Sequence, residues 1–235
     1  MEIAGARIVI PGATGEIGAA LTRRLHDAGA SLVVAGRDEA ALHRLRADCP
    51  DALTASFDAY DLASCAALTH WAARELGGLD AVVTCVGVAA FGAAESVSDA
   101  VAEHLMTVNA LAPIAFLRSA LPLIGAGGVL AAVTGVVART PPATMADYAA
   151  SKAALAAWLS AVGREQKRRR VSVIDVALPH VATGFADRAV SGRPPSLPTG
   201  LPVSRAVDLI VEAAFGTELP GTAAAPEGSS ADRTH

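Results

Sequence analysis

A β-branched run, Arg7-Ile8-Val9-Ile10, stops at Pro11-Gly12 and gives way to Gly12-Ala-Thr-Gly15-Glu-Ile-Gly18, and residues 19–28 then read as a helix closed by Gly29. A short apolar run bounded by turn residues has the pattern of a buried strand. Strand, glycine-rich turn and helix in that order leave little freedom of fold. The glycines allow a close backbone approach, and the unpaired N–H groups at the helix start face whatever anion lies in the turn, which makes it a phosphate cradle. A glycine triplet alone is weak evidence; its place between a strand and a helix strengthens it.

The rest of the chain repeats the alternation. Strand-like runs over 31–35, 53–57, 81–87, 129–133 and 171–178 are separated by helical patterns over 39–47, 62–76, 98–121 and 148–167, and a last helix covers 204–216. This predicts an α/β fold in which a doubly wound parallel sheet is covered by helices on both faces. With 235 residues, 52% of them hydrophobic, the chain suits one domain over 1–220, and the Ala/Gly/Ser/Pro composition of 221–235 predicts a disordered tail. Residues 119–138 are long and uncharged enough to raise the question of a membrane span, but Pro122 and four glycines break them into a helix end, a turn and a strand, so they read as soluble core.

A net charge of −4 gives no electrostatic reason to expect nucleic acid or an anionic membrane as partner. Lys167-Arg168-Arg169-Arg170 fits the end of a helix, where cations are favourable. Cys49, Cys65 and Cys85 are odd in number and follow no metal-binding spacing; they read as reduced thiols of a cytoplasmic protein, and no metal is expected.

Tyr148 and Lys152 stand four residues apart in an Ala/Leu-rich run, on one helix face with Leu155 and Leu159, their Cβ atoms about 5–6 Å apart. A phenol titrates near pH 10, and a neighbouring ammonium favours its ionised form, so the pair is expected to bring Tyr148 towards neutrality. Asn109 lies in the middle of an apolar stretch and needs partners for its amide, at a cost of roughly 1–3 kcal/mol if they are missing. The second strand ends in Gly36-Arg37. An acidic residue at that strand end suits the ribose hydroxyls of NAD, whereas an arginine suits a 2′-phosphate, so NADP(H) is favoured over NAD(H), with Asp38 the residue that would argue otherwise.

Together these features resemble the short-chain dehydrogenase/reductase family over residues 4–183. The most specific part is Asp-Tyr148-Ala-Ala-Ser-Lys152-Ala-Ala-Leu, preceded at the family's distance by Asn109 in Thr-Val-Asn-Ala. The resemblance implies a Rossmann-like domain in which Tyr148 is the general acid/base, Lys152 lowers its pKa and holds the nicotinamide ribose, and Asn109 anchors a proton-relaying water. Gly12, Gly15 and Gly18 would cradle the pyrophosphate together with Thr14, Glu16 and Ile17 of the same turn. Arg37 would meet the 2′-phosphate and Asp58, with Ala59, the adenine, while Gly87 and Thr183 would line the nicotinamide side. A homodimer or homotetramer is expected through the Asn109 and Tyr148 helices, with Val101, Leu105, Ala110, Phe116 and Trp158 apolar enough to serve, though core packing explains them as well.

The departures are as informative. The glycines follow G-x-x-G-x-x-G, the usual Asn-Asn-Ala-Gly is Thr84-Cys85-Val86-Gly87, and Pro-Gly after the sixth strand is Pro179-His180. The family's catalytic serine falls on Gly135, with Thr134 immediately before it, and Thr134 can replace that donor only if the strand end bends. The expected function is an NADP(H)-dependent oxidoreductase interconverting a small-molecule ketone or aldehyde and an alcohol. The alternatives are a weak or inactive NADP(H)-binding sensor or partner subunit, and a non-redox relative.

Overall fold

The structure, a computed structural model, describes residues 1–216; the tail expected over 221–235 lies outside the described residues. Strands β1 (Arg7–Pro11), β2 (Ser31–Gly36), β3 (Leu53–Ser56), β4 (Leu79–Thr84), β5 (Ile124–Val133) and β6 (Ser172–Val176) form one six-stranded sheet in the order β3-β2-β1-β4-β5-β6. Every neighbouring pair is parallel. The chain winds outward from β1 to β3 and then returns to β4 on the other side of β1. That reversal opens a crevice at the carboxyl ends of the two central strands, where ligands of such sheets bind.

Both faces of the sheet are covered, as the uninterrupted apolar strands require. Successive residues of β1 show the two-residue period: Val9 points into one core, Ile8 and Ile10 into the other. Helices α3 (Leu62–Glu75), α5 (Ala112–Ala120) and α6 (Ala146–Gln166) close the first core with Leu68, Phe116 and Leu155. There the Phe116 ring meets Phe57 edge to face at 5.0 Å. Helices α1 (Glu16–Asp27), α2 (Glu39–Asp48) and α7 (Val203–Phe215) close the second with Leu21, Leu42 and Ile210. At the amino ends of the two central strands Arg7 holds the start of β4, its Nε 2.8 Å from Asp80 Oδ2 and its Nη1 2.6 Å from the Gly77 carbonyl.

Two elements differ from the sequence reading. The helix expected over 98–121 is two helices, α4 (Asp99–Met106) and α5, joined by a π-turn at Thr107–Leu111. Pro113 is the cause: it has no N–H to give the Asn109 carbonyl four residues back, and its ring crowds that carbonyl, so the ladder slips by one residue. The fifth strand starts at Ile124 rather than 129, because Ile124 pairs with Leu79 before the register shifts at the glycines. Residues 181–202 contain no helix, but they are tied down at several points. Val181 bridges Leu201, the Phe91 N–H donates to the Ser191 carbonyl at 2.9 Å, and the Val190 N–H donates to Ala89 at 2.8 Å.

The stretch Asp99–Ala120 is long and apolar enough to cross a membrane, and 56% of its 18-residue apolar window is buried inside the protein. Arg169, from the basic run just after α6, donates to the carbonyls of Leu121, past the end of α5, and Ile124, at the start of β5, at 2.9 and 3.0 Å. Leu105, Ala110 and Phe116, expected at an interface between subunits, are core residues with at most 1% exposure. On the same helices Met106 and Leu111 are the exposed apolar residues.

Candidate active site

The glycine turn owes its shape to close contacts. A Cβ on Gly18 would lie 2.2 Å from the Gly12 carbonyl oxygen, and one on Gly12, whose φ is +85°, would lie 2.6 Å from the Cys85 carbonyl carbon. Only glycine fits at either position. Gly15 caps α1 with no side chain bonded to the first-turn N–H groups, so those donors face the crevice. A turn this bare, opening an uncapped helix beside the strand crossover, fits a dinucleotide pyrophosphate. Thr14 packs against the end of β2, where a Cβ on Gly36 would come within 2.3 Å of its Cγ2. Arg37 follows, exposed.

Asp38 is occupied as the cap of α2, accepting from the Ala41 N–H at 2.9 Å. At the end of β3, Asp58 accepts from the Tyr60 N–H at 2.9 Å, and Ala59 is buried beside it.

From the turn a cavity of about 340 Å³ runs along the carboxyl ends of β4 and β5. Gly15, Glu16, Ile17 and Gly18 wall one end; Tyr148, Lys152 and Gly87 wall its middle. Thr134, His180 and Thr183 also face it. Gly12, Thr14, Arg37, Asp58, Ala59 and Asn109 lie outside its wall. Of these, Asn109 acts on the site from behind. Its Oδ1 accepts from the Val88 N–H at 2.8 Å, and its Nδ2 donates to the Val88 carbonyl at 3.0 Å and to Ser151 Oγ at 2.9 Å. Ser151 Oγ in turn donates to the Tyr148 carbonyl at 2.7 Å. The π-turn thereby fixes the helix turn that carries both Tyr148 and Lys152.

The expected tuning of Tyr148 by Lys152 is not seen. The Lys152 ammonium donates to the carbonyls of Val133 and Val86 at 3.2 and 3.4 Å, with no hydrogen bond to the phenol. Burial pushes the Tyr148 phenol up to about 12, and burial draws Lys152 down to about 8 against the opposing pull of Cys85 and Asp175. Desolvation accounts for the shift at Tyr148 and outweighs the pull of the neighbouring acids at Lys152. Gly87 leaves room for the ammonium, since a Cβ there would lie 2.9 Å from Nζ.

Thr134 is a second correction. Its hydroxyl donates to Asp175, which also pairs with Arg139 at 3.0 Å, so its single proton is turned towards β6 rather than into the cavity. Gly135 has a φ of +103°, a conformation that side-chain-bearing residues rarely adopt. The bend that would free Thr134 is therefore present, but the hydroxyl does not follow it.

Sequence reasoning missed the clamp on this cavity. Glu16 accepts from the Gly184 N–H and from Arg188 Nη2, both at 3.0 Å, which ties the 181–202 segment to the first turn of α1. It also missed Phe91, Met145 and Phe185, which line the end beyond Tyr148. No spacing in the sequence marks these contacts, because they join segments far apart in the chain.

Residues 6–193 match the family model described as short chain dehydrogenase. An uncharacterised oxidoreductase of Methylorubrum extorquens is 29% identical over 188 residues, covering 77% of this chain and 75% of that protein. The bovine hydroxysteroid 11-beta-dehydrogenase 1-like protein is 31% identical over 192 residues, covering 79% of this chain but only 66% of its own length. A short-chain dehydrogenase from Burkholderia cenocepacia solved in complex with NADP superposes with a TM-score of 0.79 at 24% identity, over 90% and 91% of the two chains. A Serratia marcescens short-chain dehydrogenase/reductase mutant superposes at 0.81 with 19% identity, over 92% and 93%. Matched by the family model from β1 into the segment that closes the cavity, the chain belongs to the short-chain dehydrogenase family and is an oxidoreductase.

Proposed function

We propose that the protein is an NADP(H)-dependent reductase or dehydrogenase interconverting a ketone or aldehyde and an alcohol, with Tyr148 as the general acid/base. One observation carries the reading: a single cavity joins the bare glycine turn to the Tyr148 and Lys152 side chains. The dinucleotide, when bound, supplies or accepts the hydride. In the reductive direction Tyr148 gives its proton to the carbonyl oxygen as the C=O π bond breaks, balancing the hydride that the bound dinucleotide would supply to the carbon, so that an alcohol results. Lys152 holds the backbone carbonyls under the site, and Asn109 orients the helix turn that presents the phenol.

Preference for NADP(H) is supported at the end of β2. The ribose-carboxylate position is Gly36, which Thr14 leaves no room to enlarge, and Asp38 is engaged in its cap. Arg37 is the exposed cation at this strand end. The Burkholderia relative in the same fold was solved with NADP. The three free cysteines suit a cytoplasmic setting, and a homodimer or homotetramer fits the exposed Met106 and Leu111.

Tyr148→Phe is the test. NADPH consumption on a panel of carbonyl compounds should fall by at least 10²-fold while NADPH affinity changes less than threefold; unchanged turnover would reject the assignment. The second reading, a sensor or partner subunit that binds NADP(H) without turnover, is favoured by the missing serine at Gly135 and the engaged Thr134 hydroxyl. Tight NADPH binding with no oxidation across the panel, together with a stable complex with a second protein, would establish it instead.

A further inference from the structure

Beyond Tyr148 the cavity changes character. Ala89, Phe91, Val137, Met145, Ala149 and Ala186 form a small apolar cluster separate from the two cores on the sheet, and Tyr148, Phe185 and Leu197 pack against it. The Tyr148 and Phe185 rings stand 6.3 Å apart at 49°. This cluster is assembled from the loop after β4, the turn after β5, the entry to α6 and the 181–202 segment. Its members serve neither the sheet nor the glycine turn. All but Ala149 line the half of the cavity that a substrate body would fill once its oxygen reached Tyr148.

Charge is distributed to match. The charged side chains on the cavity wall are Glu16, Arg188 and Lys152. Glu16 and Arg188 pair with each other at the glycine-turn end. Lys152 is 4% exposed and bonded to backbone carbonyls. A carboxylate or phosphate on the substrate body would therefore be desolvated among aromatic and aliphatic groups with no cation to receive it, a large penalty. An aliphatic body displaces water from the same surface at a gain.

Resting on the redox reading above, we propose that the substrate is an uncharged, predominantly hydrocarbon ketone, aldehyde or secondary alcohol, its body held among Phe91, Val137, Met145, Phe185 and Leu197. The chemistry at its oxygen is the hydride and proton exchange already described. Selectivity comes from apolar burial, so affinity follows chain length until the cavity is full.

The test uses the full chain with NADPH and two matched series: methyl ketones from 2-butanone to 2-decanone, and keto acids of equal length. Each added methylene should raise kcat/KM roughly three- to fourfold over the first members, and each keto acid should fall at least 100-fold below its ketone. Leu197→Lys, a half-buried wall position, should shrink that discrimination at least tenfold. A flat response to chain length, or keto acids equal to or better than ketones through capture by Arg188, overturns the proposal while leaving the redox reading intact. If no compound is reduced, the redox reading fails and no substrate is assigned; the Tm of the NADPH-loaded protein then decides on its own the part of this proposal that concerns the apolar body. Stabilisation by 2-decanone but not by decanoate upholds it; stabilisation by decanoate, or by neither, overturns it.

Discussion

Tyr148, Lys152 and Thr134 show how residue type and environment divide the work. Helical spacing made the Tyr148–Lys152 pair legible in the sequence, because two residues four apart must share a face. Their titration was not legible, since it depends on what buries them and on the carbonyls that the ammonium reaches. The consequence for stability has a definite sign. Burial lowers Lys152 from 10.5 to about 8, so between those values the folded chain binds fewer protons than the unfolded one, and stability rises with pH across the window. Below about pH 8 the cost of the buried ammonium is fully present. Lys152→Met should accordingly be more stable than the natural chain at pH 7, and the gap should narrow by pH 10; denaturant titrations at both pH values measure it, and a gap that widens contradicts the assignment. For Thr134, loss of a substrate-oxygen donor would cost about 10²–10³ in kcat. With the hydroxyl turned to Asp175, Thr134→Val should cost less than tenfold in steady-state turnover.

The strand–turn–helix unit at the N-terminus was readable from its glycines, and the packing shows why they are required. Gly18→Ala pushes a methyl group against the Gly12 carbonyl, which should weaken NADPH binding at least tenfold by fluorescence titration while the rest of the domain stays folded. The break between α4 and α5 was less visible. Pro113 was available as a signal, but an apolar helical pattern runs through it, and a proline says that the ladder is disturbed without saying how the flanking helices are rejoined. The partners that settle it, Val88 and Ser151, are distant in sequence. The 181–202 segment was opaque for the same reason. Its order comes from Glu16, Ala89 and Phe91 rather than from any periodicity of its own.

Across the whole molecule, the alternation of strands and helices carried the α/β class and the parallel sheet, because each period maps onto one kind of element. Strand boundaries were less certain where glycines let β5 start early. Interior and interface could not be separated from composition: Leu105, Ala110 and Phe116 are as apolar as any contact surface, yet they lie inside. The cavity is likewise a property of the assembled chain, formed where the sheet reverses direction and four separate segments converge.

The central claim is that this cavity brings a nicotinamide hydride and the Tyr148 proton to the same carbonyl. The most direct measurement is mass spectrometry of the alcohol formed from 2-octanone by the natural chain with NADPH deuterated at C4 of the nicotinamide. One deuterium on the carbinol carbon, from one face of the ring only, is the predicted result. NADPH held by the protein without any labelled alcohol would contradict the account.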